Sequence, residues 1–117
     1  MLKLILEEFL HIEGVTSAAL IGRDGFVIEF AQNDSSDVEV LGALGSSAMT
    51  FISRLGASMN MGSLQQIVLE HHTGAIIITQ ISDDEFLAII TDTESNLGQL
   101  TYVLPKICPR VAAVIGT

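Results

Sequence analysis

Hydrophobic positions in this chain recur at two spacings, and the alternation between them divides the sequence into eight segments. Residues 2–12 place Leu2, Ile5, Leu6, Phe9 and Leu10 on one side of a short helix. Glu7, Glu8 and Glu13 lie outside that side, and Gly14 is the stop. Residues 15–21 and 26–30 read as two strands of a hairpin. Phe26, Ile28 and Phe30 alternate with Val27 and Glu29, and the intervening Asp24-Gly25 favours the positive φ of a tight turn. The longest helical periodicity runs from residue 36 to residue 59. Three strand-like runs follow, at 64–71, 74–80 and 85–91, joined by connections too short for a parallel crossover. A last helix is expected from Asp92 or Thr93, with Leu97, Leu100, Leu104, Ile107, Cys108 and Val111 at helical spacing. Pro105 should kink or break it, because its ring clashes with the carbonyl of Thr101, and Pro109 adds a second interruption. The tail from Val111 is either a final helical turn or an extended piece.

The order α-β-β-α-β-β-β-α predicts one α+β domain spanning residues 1–117, built on a five-stranded antiparallel sheet. The long helix should cover one face of the sheet, and the terminal helices should share the other. Ser35 or Ser36 is the expected cap of the long helix, with Glu39 completing a capping box. At about 100° per residue, Leu41, Leu44, Ala48, Phe51, Ile52, Leu55 and Met59 form a broad apolar face, which is expected to lie on the sheet. Val38, Gly42, Gly45, Met49 and Gly56 form a second, slender stripe. Each helical glycine costs about 1 kcal/mol relative to alanine. Either the helix merely tolerates them, or they admit another backbone, and a second copy of the same helix in a dimer is the expected neighbour.

Composition adds to this picture. Nearly half of the 117 residues, 49%, are hydrophobic and only 16% are charged, a surplus that favours an oligomer. No apolar run approaches the length of a membrane span, and no cleavable leader is evident at the N-terminus, so a cytoplasmic protein without direct membrane insertion is expected. The formal charge of -9 argues against nucleic acid and anionic membrane as partners. One cysteine, Cys108, excludes an intrachain disulfide and reads as a buried small hydrophobe.

Little in the sequence can carry chemistry. His71 and His72 point to opposite faces if both lie in a strand, and no cysteine pair or histidine spacing completes a zinc site. The acidic run Asp83-Asp84-Glu85 lacks the distributed ligands of a calcium loop. No nucleotide-binding or nucleophile-elbow motif is present. No catalytic residue, metal or cofactor is therefore expected, and the protein is read as a non-enzyme. A small-molecule sensor would require a cavity beneath the long helix. Arg23 in the first hairpin turn and Arg54 on the polar side of the long helix are the candidate partner-binding residues.

Two local patterns carry a family resemblance. One is Gly14-Val15 followed by Ala19-Leu20-Ile21-Gly22-Arg23-Asp24-Gly25. The other is Leu87 to Asp92 followed by Asn96-Leu97-Gly98, and Gly74 ahead of the middle strand agrees with both. Together with the element order, they resemble the roadblock/LC7 family, whose domain is similar to profilin and longin folds. The resemblance implies a dimer in which long helices lie antiparallel and sheets join edge to edge. Carried onto this sequence, the interface would use Val38, Gly42, Gly45, Met49 and Gly56 on the helix with Gln66, Val68 and Glu70 on the edge strand. It also implies a homodimer that binds and regulates a Ras-like small GTPase, or alternatively a scaffold subunit of a larger complex that leaves GTP turnover unchanged. Gln99-Leu100-Thr101 stands where relatives often carry an arginine, a departure at the start of the last helix.

Overall fold

A computed structural model describes residues 1–93 and 96–116. The elements are α1 (Leu2–Phe9), β1 (Val15–Gly22), β2 (Val27–Gln32), α2 (Val38–Ser58), β3 (Gln66–His71), β4 (Gly74–Gln80), β5 (Glu85–Thr91) and α3 (Leu97–Ile115). Every strand pairing is antiparallel, and the sheet order is β2-β1-β5-β4-β3. The α+β architecture and element order expected from the sequence are those observed.

Two apolar layers hold the sheet. Ile5, Leu6 and Phe9 of α1 and Leu100, Leu104 and Val111 of α3 pack with Ala18, Leu20, Ile77, Leu87 and Ile89 on one face. The other face presents Ala19, Ile21, Ile78, Phe86 and Ala88 to α2. The central strands β1 and β5 are covered on both faces, which explains their nearly continuous apolar sequences.

Local chemistry sets the element ends. After α1 the chain makes i→i−3 backbone bonds at Leu10, His11 and Ile12, so regular helix stops at Phe9 rather than at residue 12. Gly14 then takes φ +87°, the left-handed conformation that turns the chain into β1. In the first hairpin, Asp24 Oδ1 accepts the Phe26 N–H at 3.0 Å, and Gly25 sits at φ +92°. The alternation expected along β2 is interrupted. Ile21 pairs with Val27 and Leu20 with Glu29, which leaves Ile28 as the extra residue of a β-bulge. Val27 and Phe30 consequently pack toward α2, while Phe26 and Ile28 are exposed.

Asp37 caps α2. Its carboxylate accepts the N–H groups of Glu39 and Val40 at 3.1 and 3.2 Å, so neither Ser35 nor Ser36 is the cap and no capping box with Glu39 forms. Asn96 caps α3 through the Gln99 N–H at 3.0 Å, which places the start of this helix at Leu97 instead of residue 92 or 93. The helix runs through Pro105 and Pro109 to Ile115 without a break. Both prolines are exposed, so the carbonyls that lose an intrahelical partner can be hydrated.

Candidate functional site

The orientation of α2 is the reverse of the sequence expectation. Val38, Gly42, Gly45 and Met49 face the sheet and are buried within the same chain. A Cβ on Gly42 would stand 2.4 Å from the Gly25 carbonyl oxygen, and one on Gly45 would stand 3.3 Å from the Phe86 ring. The close approach that these glycines permit is therefore to β5 and the first hairpin, not to a second helix. Gly56 is half-buried at the helix exit, where its missing Cβ would be 3.9 Å from the Gly62 carbonyl oxygen. Of the broad face assigned to the sheet, Leu41 and Ile52 are half-buried at its rim. Leu44, Phe51 and Leu55 instead project outward, with 67%, 71% and 52% of their surface accessible. Val40 and Met59 extend this exposed apolar flank.

The sheet has two unlike edges. At the β2 edge, the Lys3 ammonium donates to the Phe30 carbonyl, lies 3.7 Å from the Glu29 carboxylate and stands 4.9 Å from the centre of the Phe30 ring. With the bulge at Ile28, this lysine obstructs the edge in the way natural sheets discourage further strand addition. The β3 edge is regular, pairing residue for residue with β4 from Gln66↔Thr79 to His71↔Gly74. Its outer side meets no further strand among the described residues. Val68 and Glu70 are exposed, and the Gln66 carboxamide oxygen accepts from Thr79 Oγ1 at 3.2 Å. These three residues lie on the sheet face away from α2, whereas Ile67 and Leu69 share the α2 side.

A groove of about 880 Å³ runs along the polar flank of α2, between that helix and the turns joining β1 to β2 and β4 to β5. Arg23 and Arg54 both line it, so the structure brings together the two arginines singled out in the sequence. Arg23 is held on three sides. Its N–H donates to the Asp84 carbonyl at 2.8 Å, its carbonyl accepts Ser46 Oγ at 2.5 Å, and its Nη1 donates to the Asp83 carbonyl at 3.3 Å. Met49 and Phe86 form the apolar floor, and Asp83 and Glu85 line the groove from the sheet side. It is an open groove beside the long helix, not the enclosed cavity beneath it that a small-molecule sensor would need.

His71 Nδ1 lies 3.2 Å from the Leu69 carbonyl oxygen in an exposed turn with His72. Among the described residues, no three His, Cys, Asp or Glu side chains are grouped to hold a metal ion. Cys108 is half-buried against the α1 and α3 layer, and burial pushes its thiol up to about 11. No helix among the described residues is long and apolar enough to cross a membrane.

Sequence reasoning missed Leu44, Phe51 and Leu55 as surface residues because both stripes of α2 are apolar. The available signal was size: the stripe that must lie flat on a sheet bearing Phe86 is the one made of glycines.

Comparison with known proteins gives consistent results. The family model described as Roadblock/LC7 domain matches residues 1–91. Two uncharacterized proteins of Methanocaldococcus jannaschii are each 28% identical over 114 residues, covering 97% of this chain and 99% of the relative. Among solved structures, a Roadblock/LC7 domain from Streptomyces avermitilis superposes with a TM-score of 0.89 at 20% identity, covering 98% of both chains. The gliding protein MglB from Thermus thermophilus gives 0.88 at 19% identity, covering 97% of this chain and 87% of that one. Profilin IA from Acanthamoeba castellanii gives 0.61 at 16% identity, covering 96% and 94%.

Proposed function

This chain belongs to the Roadblock/LC7 domain family, and from that premise we propose that it is a homodimeric, non-catalytic interaction module of the cytoplasm that binds and regulates a Ras-like small GTPase. The observation that carries the dimer is the exposed flank Leu44–Phe51–Leu55. Burying each such side chain is favourable by about 1.5–3 kcal/mol relative to leaving it in water. A second copy of the flank, related by a two-fold axis, is the natural cover for a self-complementary apolar stripe. The interface implied by the family resemblance thus moves from Val38, Gly42, Gly45 and Met49, already covered by their own sheet, to the opposite flank of α2. Gln66, Val68 and Glu70 of β3 stay in the proposal as the edge at which two sheets join. The GTPase reading is supported by family membership and by the likeness in fold to the gliding protein MglB.

The test has two parts. Sedimentation equilibrium should give twice the chain mass, and a monomer at tens of micromolar would overturn the dimer. Capture from a lysate of the source organism, with GTP analogue or GDP present, should enrich a small GTPase in one nucleotide state. A stable partner retained equally in both states would favour a scaffold subunit instead.

A further inference from the structure

We propose that two copies of this chain join at β3 in one register, with Val68 on the two-fold axis and the Gln66 carboxamide of each copy donating to the carboxylate of the partner's Glu70. The proposal rests on the homodimer reading and deepens it, by naming the side-chain pair that sets the register and makes the edge selective for its own copy.

The first argument is the direction of the backbone groups. His71 and Gly74 pair across a two-residue turn, and the Gln80 N–H donates to the Gln65 carbonyl at 3.1 Å. In an antiparallel ladder, successive residues alternate between bonding the neighbouring strand and facing away from it. Gln65, Ile67, Leu69 and His71 therefore turn toward β4, and the N–H and C=O groups of Gln66, Val68 and Glu70 point out of the sheet. Ala75 agrees: it stands opposite Glu70, yet its N–H turns away from β3 and donates to Thr91 Oγ1 at 3.1 Å. A symmetric antiparallel copy must set outward residues against outward residues. With Val68 opposite the partner's Val68, Gln66 faces the partner's Glu70, and every outward group of β3 is used. Sliding the copies by two residues either way leaves Gln66 or Glu70 facing a residue beyond the end of the strand.

The second argument is the side chains. The Gln66 carboxamide oxygen already accepts from Thr79 Oγ1 at 3.2 Å, which leaves its NH2 to donate. The exposed Glu70 makes no ion pair among the described residues, and its carboxylate only accepts. Side chains facing each other across strands have Cβ atoms about 4.5–5.5 Å apart, within reach of this bond. On the α2 side, the same register sets Ile67 against the partner's Leu69, which is 38% accessible in the single chain. A register centred on Glu70 would oppose two carboxylates, and one centred on Leu69 would set Val68 against the partner's Glu70. A foreign strand with carboxylates at both positions is repelled, so the pair discriminates as well as binds.

The experiment uses the full chain carrying Cys108→Ala, so that a disulfide reports only an introduced cysteine. Under diamide, Val68→Cys should give a covalent dimer, because facing Cα atoms stand about 5.5 Å apart, inside disulfide range. Gln66→Cys and Glu70→Cys should each stay unlinked alone and link when mixed. In sedimentation, Gln66→Glu should weaken the dimer about tenfold or more, since like charges then face each other twice. Adding Glu70→Gln restores the native net charge and should restore the native affinity. The proposal is overturned if Val68→Cys fails to link, if the mixed cysteines link no better than either alone, or if the exchanged pair binds as weakly as Gln66→Glu. A native chain that sediments as a dimer alongside any of these results overturns the register alone, whereas a monomeric native chain overturns the homodimer reading with it.

Discussion

Gly42 and Gly25 approach so closely that a methyl group on Gly42 would stand 2.4 Å from the Gly25 carbonyl oxygen. That contact fixes the first hairpin against the N-terminal half of α2, and backbone lies on both sides of it. Gly42→Ala should therefore destabilise the fold by about 1–3 kcal/mol, despite the gain of about 1 kcal/mol in helix propensity. Gly45→Ala meets the edge of the Phe86 ring at 3.3 Å and Ile78 Cδ1 at 3.7 Å, side chains rather than backbone, and Gly56→Ala meets nothing nearer than 3.9 Å. The first should change stability by less than about 1 kcal/mol, and the second should raise it by up to about 1 kcal/mol. Urea melts of the three variants check this order, and a stable Gly42→Ala would refute the packing described for α2.

Phe51 and Leu55 offer a different contrast. Phe51→Ala would cost about 3–5 kcal/mol in a core, but its side chain is 71% accessible. Melts at protein concentrations low enough to leave the chain monomeric should show a loss below about 1 kcal/mol. Phe51→Asp and Leu55→Asp should retain the fold by circular dichroism and shift sedimentation from dimer to monomer. Unchanged mass in both variants would exclude the exposed flank of α2 from any interface.

The cap of α2 can be assigned by two substitutions. Asp37→Ala removes the acceptor for two helix N–H groups and should cost about 0.5–2 kcal/mol. Ser36→Ala should cost almost nothing, since the Ser36 N–H, which donates to Asp34 Oδ1 at 3.0 Å, is retained. The reverse order in thermal melts would restore the capping box with Glu39.

Cys108 gives a pH dependence. Burial raises its thiol from 9.0 to about 11, and only the thiolate reacts with iodoacetamide. Alkylation at pH 8 should be about 100-fold slower in the folded protein than in urea, from the thiolate fraction alone. The unfolded chain loses this proton first as pH rises. The thiol's contribution to stability is therefore fully present below pH 9 and is lost between pH 9 and about 11. Equal alkylation rates in the two states would place the thiol in water.

The strands were readable because burial imposes their pattern. β4 and β5 begin and end where the apolar runs do, since short connections and two covered faces leave no other solution. Three features were not readable, each for a physical reason. The bulge at Ile28 shifts the register by one residue, and Phe26, Val27, Ile28 and Phe30 are all apolar enough to permit either alternation. Pro105 and Pro109 look like breaks, but on the exposed side of α3 the carbonyls they free can be hydrated. The orientation of α2 depended on which of two apolar stripes fits against Phe86, and periodicity carries no information on fit. Arg23 and Arg54 were singled out in sequence as candidate partner-binding residues, but their sharing of one groove depends on the docking of the hairpin against Ser46, which the sequence does not encode locally.

The two sheet edges have a consequence for assembly size. In polymer chemistry, a unit with two reactive ends grows chains, and a unit with one reactive end can only couple once. Lys3 and the bulge close the end at β2, while β3 keeps its end open. Edge-to-edge association through β3, as proposed, would thus be monofunctional: it would stop at two copies, with Lys3 and the bulge at each outer margin discouraging fibre growth by this route.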